Sequence, residues 1–327
     1  TSKFDKTKED EGKKLQKEML NRDKKYLKDS KKWSNVKGIE IFRFFSVMAT
    51  PAGKDFNFDY KEYTDVYRNL NTVWNVYKFA QEKMELNDFE PKTAEIDYDT
   101  LILTDKWILA KTNSVINELT KLFDEYHLSE VPTLIQDYAI NDLSRWYIVT
   151  IRDIVDVNNE DPAKYQTLAV LWYVLKQLTL MLAPAIPMLT EEIYQKIFRS
   201  ATPEETKESI HLETWPKVEE KFVNDNLVEQ MQLTRRIIDT VRSLKSDHKI
   251  KLRWPTKSLL IQKEKDAQDL LFKELIREMS NVRKLEIVDQ VQTDEDIVKT
   301  TLGKYKLYLD LSDSKELQQE RILADLL

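Results

Sequence analysis

Apolar residues recur every three or four positions along most of this chain, the spacing of one face of a helix. Ile39, Phe42, Phe45 and Met48 open the pattern, and Thr50-Pro51-Ala52-Gly53 closes it. Proline disfavours helix at the residue before it, and glycine permits turn geometry. A long run over about 60–86 follows Asp59, with Tyr63, Val66, Tyr67, Leu70, Val73, Trp74, Tyr77 and Phe79-Ala80 on its apolar face. Further helices are predicted over about 105–127, 129–154 and 162–182, the second with Ser129 as N-cap and Pro132 in its first turn. The run 162–182 is apolar nearly all round, as a fully buried central helix would be. Pro184 and Pro187 bracket a break before helices at 191–198 and 224–246. The texture then changes to short β-type runs at 258–262, 285–288 and 305–309, with a helix over about 266–279 and a new helix from Ser314 to the end.

The fold this predicts is mainly α. An antiparallel helical bundle over 38–255 is followed by a small α+β domain of β-α-β-β order over 256–327. Residues 1–37 read as a charged extension, a solvent-facing helix or mobile end with few large apolar side chains.

Composition removes several kinds of chemistry. Only four glycines occur, at 12, 38, 53 and 303, so no glycine-rich phosphate loop can be assembled. Cysteine is absent, which excludes disulfides and thiolate zinc sites. The three histidines, His127, His211 and His248, are scattered and form no metal-binding spacing. Paired carboxylates such as Glu191-Glu192, Glu204-Glu205 and Glu219-Glu220 have no His or metal partner in the pattern and read as surface charge. No catalytic site, cofactor site or metal site is expected, and no segment has the uninterrupted apolar length of a membrane span. The chain reads as cytoplasmic, and its first residue, Thr1, as the start of a processed or excised piece.

The formal net charge is −6, but residues 235–263 hold nine Lys/Arg against two Asp, a local excess that attracts phosphate. Two stretches mix cations with aromatics. In the first, Arg145 and Arg152 lie seven apart, two helical turns, with Trp146 and Tyr147 between them. Aromatic faces can stack unpaired bases, and Arg can bind phosphate or base edges. The same pattern also fits a bundle helix with Trp146 in the core and the arginines reaching outward. In the second, Lys249-Ile250-Lys251-Leu252-Arg253-Trp254-Pro255 turns its cations to one side of an extended segment. An edge strand protected by charge fits that pattern equally.

Taken in order, several fragments resemble one family. Trp74-Asn75-Val76-Tyr77-Lys78-Phe79, then 142–148 (DLSRWYI), 183–194 (APAIPMLTEEIY) and 209–216 (SIHLETWP) are similar to class I aminoacyl-tRNA synthetases for branched aliphatic amino acids. KIKLRWP at 249–255 points to the isoleucyl type, in its archaeal or eukaryotic-cytosolic style. The segments 305–310 and 320–327 resemble that family's tail, whose last helix continues further, so the resemblance implies a truncated C-terminal domain. The family's catalytic signatures are missing: there is no His-Ile-Gly-His-like motif, and Lys28-Asp29-Ser30-Lys31-Lys32 is a superficial echo of Lys-Met-Ser-Lys-Ser. The resemblance therefore implies the anticodon-binding bundle and tail, without the catalytic core or editing domain. ATP and Mg would act only in the full-length enzyme.

In valyl and methionyl relatives, the helix with the Trp-Asn-like motif and the later Trp-bearing helix face the anticodon. Carried over, this nominates Asn75, Lys78 and Phe79 together with Arg145, Trp146 and Tyr147; Arg152 joins them by its spacing. Asn can pair with a base edge, cations can neutralise phosphate, and aromatics can stack flipped-out bases. Lys78 stands where the family often has Arg, so phosphate contact suits it better than planar base reading. Trp74 is assigned to the core, and Lys251 and Arg253 to secondary phosphate contacts. The partners implied are tRNA-Ile and the synthetase catalytic domain, in cis or in trans, with no membrane. The alternative is a free-standing, non-catalytic paralogue that binds a protein or another RNA.

Overall fold

A computed structural model describes residues 34–50, 53–55, 60–93, 95–291 and 296–326. The expectation for residues 1–33 lies outside them, and the first helix, α1 (Ser34–Ala49), already begins within the expected extension. The chain divides into two compact units, 1–223 and 224–327.

The first unit is helical. After α1 come α2 (Tyr60–Leu86) and α3 (Leu103–Asp124). Next is α4, which runs from Glu130–Asp137 through a π-helical stretch, Tyr138–Tyr147, to a last turn Ile148–Ile151. Then follow α5 (Lys164–Leu182) and α6 (Pro187–Ile193), the latter continued by π turns over Tyr194–Arg199. Helix α5 is buried along most of its length, including Leu168, Leu171, Val174, Leu178 and Met181, as its all-round apolar sequence requires. On α1 the buried stripe is Ile41, Phe44 and Phe45, whereas Ile39 and Phe42 are half exposed. The spacing-three series therefore named a stripe partly rotated from the real one, because 3.6 residues per turn lets an i, i+4 step replace an i, i+3 step. Ser129 precedes α4, but its side chain makes no capping bond.

Buried hydroxyls fix how these helices meet. The Tyr77 hydroxyl on α2 lies 2.7 Å from Thr179 Oγ1 on α5 and donates to the Leu175 carbonyl at 3.3 Å. Tyr138 on α4 and Thr112 on α3 share a hydrogen bond of 2.6 Å. Asp105, in the first turn of α3, accepts from Tyr147 of α4 and from Thr167 of α5, each at 2.7 Å. Each of these groups would be costly to bury unpaired.

The second unit places helices on a four-stranded sheet. Its elements are α7 (Asp225–Asp247), β1 (Thr256–Lys263), α8 (Lys273–Met279), β2 (Val282–Ile287), β3 (Ile297–Leu302), β4 (Tyr305–Asp310) and α9 (Lys315–Leu326). The strand order is β2-β1-β4-β3, with β1 and β2 parallel across the α8 crossover and the other two pairs antiparallel. The expected β-α-β-β order thus gains a strand, β3, whose Lys-Thr-Thr centre carries little apolar signal. The β3–β4 hairpin closes through Gly303-Lys304, with Gly303 at a φ of +56°, which a two-residue hairpin turn needs and glycine supplies freely.

Inward-facing Leu259, Ile261, Leu307 and Leu309 are fully buried. They alternate with exposed or half-exposed neighbours, as in a sheet covered on one face. Helix α7, expected in the bundle, packs against α8, β3 and β4. The division therefore falls after Val223 instead of after Pro255. Periodicity showed that α7 had an apolar face but not what that face would cover, and a sheet with one apolar face requires such a cover.

Burial raises the Asp105 carboxyl from 3.8 to about 6, against the opposing bonds from Tyr147 and Thr167. A carboxyl whose folded pKa exceeds its unfolded one costs stability as pH rises from about 4 to about 6, and the cost is complete above that. Asp105→Asn, which keeps the shape without the charge, is expected to match the native chain near pH 4. It should exceed it by roughly 2–3 kcal/mol above pH 6. Urea unfolding of both proteins from pH 4 to 7 checks this; parallel stability curves would contradict it.

Candidate nucleic-acid interface

Two helices carry the nominated residues of the first unit, and they run in the same direction. At their C-terminal ends Asn87 Nδ2 donates to the Val155 carbonyl at 3.1 Å, and Lys83 Nζ bonds Asp156 Oδ2 at 3.2 Å. From that junction Lys78 lies nine residues back along α2 and Arg145 ten back along α4. At a rise of about 1.5 Å per residue the two sit at a similar level, and α2 packs on the π stretch that holds Arg145.

The buried face of α2 is Val66, Leu70, Val73, Val76, Tyr77, Ala80 and Met84. Asn75 and Lys78 fall on the other side and are exposed, while Phe79 and Trp74 are half-buried. On α4, Arg145 and Arg152 are exposed, with the exposed Val149 between them. Arg145 is not loose. Its Nη1 donates to Asn141 Oδ1 at 3.0 Å, and Asn141 Nδ2 donates to Asp137 Oδ1 at 2.6 Å. This row aims the guanidinium along the helix and leaves its other N–H groups for a ligand. Asn141 was not nominated from the sequence; its i, i+4 spacing between Asp137 and Arg145 was the available signal. Glu82 on α2 and Asp153, just past the end of α4, are also exposed, so the cations are interspersed with carboxylates.

Two nominations need correction. Tyr147 is fully buried, and its hydroxyl is spent on Asp105. Burial, and then the Asp105 carboxylate, push that hydroxyl well above its ordinary range, so it stays a proton donor. Trp146 is 7% exposed. Neither ring offers a face for a base. Both belong to the apolar stripe Leu143-Trp146-Tyr147-Ile151, and for this helix the core reading of the aromatics holds while the arginines reach outward.

The second unit holds the other two nominated cations, Lys251 and Arg253, both exposed. Both bond the carboxylate of Asp325 on α9, Lys251 Nζ at 2.8 Å and Arg253 Nε at 2.7 Å. Their loop is braced from behind by Lys245 of α7, a fully buried lysine whose Nζ donates to the carbonyls of Trp254 at 3.0 Å and Asn281 at 2.8 Å. Burial, and then the nearby Arg321 and Arg242, lower its pKa to about 8. Among the described residues no group of His, Asp and Glu is arranged to hold a metal, and no helix is long and apolar enough to cross a membrane.

Residues 105–261 match the family model for the anticodon-binding domain of tRNA ligase. The isoleucine–tRNA ligase of Pyrococcus abyssi is 36% identical over 230 residues, covering 70% of this chain and 21% of the relative. That of Methanopyrus kandleri is 31% identical over 257 residues, covering 77% and 23%. That of Methanosarcina mazei is 30% identical over 269 residues, covering 82% and 24%. The chain belongs to the isoleucine–tRNA ligase family. It spans about a quarter or less of the length of the curated relatives it matches, in their anticodon-binding region. The matched stretch opens at Asp105, the carboxylate that joins α3, α4 and α5, and closes in β1, so it takes in the loop that Lys245 braces.

Lys245→Met would leave the Trp254 carbonyl without this donor, while the Asn281 carbonyl keeps the backbone N–H of Thr256 at 3.1 Å. One orphaned acceptor costs about 1–3 kcal/mol. The expected outcome is a loss of that size by urea unfolding, together with faster amide exchange across 249–256.

Proposed function

We propose that this chain is the tRNA-binding module of an isoleucine–tRNA ligase. It would grip the anticodon stem-loop of tRNA-Ile and support aminoacylation carried out by a catalytic domain that lies outside this sequence, in cis or in trans. ATP and Mg would be used in that catalytic domain. The cytoplasm, where tRNA is charged, is its expected place of work. One observation carries the reading: two adjacent helices that run in the same direction display Asn75, Lys78 and Arg145 toward solvent at neighbouring levels, with Arg152 exposed two turns further along, in a chain of this family. Lys78, Arg145 and Arg152 would neutralise phosphates, Asn75 would bond a base edge, and the half-buried Phe79 is the remaining nominated ring for stacking.

A second reading has its own support. With Trp146 and Tyr147 in the core, most of the expected stacking surface is missing, and the whole chain is acidic. A paralogue that keeps the scaffold but binds a protein or another RNA accounts for both facts.

Binding of the chain to tRNA-Ile transcripts with native and altered anticodons, at two salt concentrations, separates the two. The anticodon reading expects weaker binding after the anticodon change and a steep loss with salt, because phosphate contacts release counterions. Lys78→Glu or Arg145→Glu should each weaken binding by about tenfold, and Lys121→Glu, an exposed cation on α3, by much less. Equal binding to all anticodons, or none at low salt, favours the paralogue.

A further inference from the structure

Three residues of one short loop aim their donors at one anion. Lys251 Nζ reaches Asp325 Oδ2 at 2.8 Å. Arg253 reaches Oδ1 through Nε and through Nη2, both at 2.7 Å. Trp254 Nε1 reaches the same oxygen at 2.9 Å. The carboxylate is thus held by four N–H groups, and the Lys251 ammonium also lies 4.7 Å from the centre of the Trp254 ring. Two oxygens on a singly charged centre are what a carboxylate shares with the phosphodiester of an RNA backbone.

The donor side is built without help from Asp325. Lys249 turns the chain at a φ of +58°, and the Trp254 N–H closes a turn on the Lys251 carbonyl at 2.9 Å. Asn281 Nδ2 holds the Arg253 carbonyl at 2.8 Å, and Lys245 holds that of Trp254. The acceptor side is held lightly. Among the described side chains of α9 only Leu317 is both apolar and buried, and Ile322 and Leu323 are 61% and 59% exposed. The rest of its grip is polar: Arg283 pairs with Glu320 and, at 3.5 Å, with Glu316, and Arg321 donates to the Pro255 carbonyl at 3.3 Å. A helix with so little buried apolar area belongs to the part of a fold that opens first.

We propose that Lys251, Arg253 and Trp254 form a binding site for an RNA backbone phosphate, which Asp325 fills when RNA is absent, α9 being an acidic strap that the RNA displaces. The proposal rests on the reading of this chain as an RNA binder. When α9 leaves, Arg283 loses Glu316 and Glu320 and adds a further cation to the exposed surface.

The test uses the full chain and a tRNA-Ile transcript. Asp325→Ala removes the competing carboxylate and leaves the donors in place. It is expected to tighten binding about fivefold with the salt slope unchanged, because the same phosphate is bound in both complexes. Adding Arg253→Ala to that variant should abolish the gain. Asp269→Ala, which removes an equal charge from a carboxylate paired with Lys263, should leave affinity unchanged. In the native chain, tRNA should speed amide exchange across 315–326. Equal affinity of the native and Asp325→Ala chains, or an equal gain from Asp269→Ala, overturns the strap; if Arg145→Glu still weakens binding, the tRNA-binding reading survives that result. Absence of tRNA binding by the native chain and every variant overturns both.

Discussion

A single buried carboxylate sets the rotation of the helix on which the proposed interface depends. Asp105 can be ionised inside the first unit only because Tyr147 and Thr167 both donate to it, and those two residues come from different helices. Turning α4 by one residue would remove the Tyr147 hydroxyl and leave Thr167 alone of these two donors to the carboxylate, raising the cost of its charge in the core. With Tyr147 fixed inward, Arg145, Val149 and Arg152 must face out. The Asp137-Asn141-Arg145 row then settles where the Arg145 guanidinium points. The polar interior and the charged exterior of α4 are two sides of one constraint.

Much of this organisation was legible in the sequence, and the parts that were not have identifiable causes. The long amphipathic runs over α2 to α4 marked themselves by period, and α5 by being apolar nearly all round. The exposure of Asn75, Lys78, Arg145 and Arg152 follows from the same period. What period cannot do is separate an aromatic that packs from one that stacks on a ligand. Trp146 and Tyr147 satisfied both readings until their surroundings were known. Nor does period report a π-helical stretch such as Tyr138–Tyr147, in which neighbours shift around the axis without any change in composition. Strand β3 was silent because Lys299, Thr300 and Thr301 alternate weakly, and α7 looked like a bundle helix because its apolar face does not name its partner.

The family match and the chemistry of the surface answer different questions. The match fixes descent and places this chain among proteins more than three times its length. It does not by itself make an interface of a given side chain. That part rests on exposure, on the shared level of two helices and on donors left unspent. The acidic balance of the whole chain is compatible with binding to phosphate, because what a ligand meets at contact is the local field.

The order of the sheet has a consequence for how the second unit comes into being. Strand β1 is the first made, yet it lies inside the sheet, and one of its two neighbours is β4, with Ser258 opposite Asp310. No local hairpin can complete that pairing; the chain must be synthesised through β4 before β1 has both its edges filled. Until then α7 has only part of the sheet it covers, and the open side of β1 is an unpaired edge of the kind that recruits other strands. Folding of this unit is therefore a late, long-range event on the ribosome, whereas the helices of the first unit can form as they emerge.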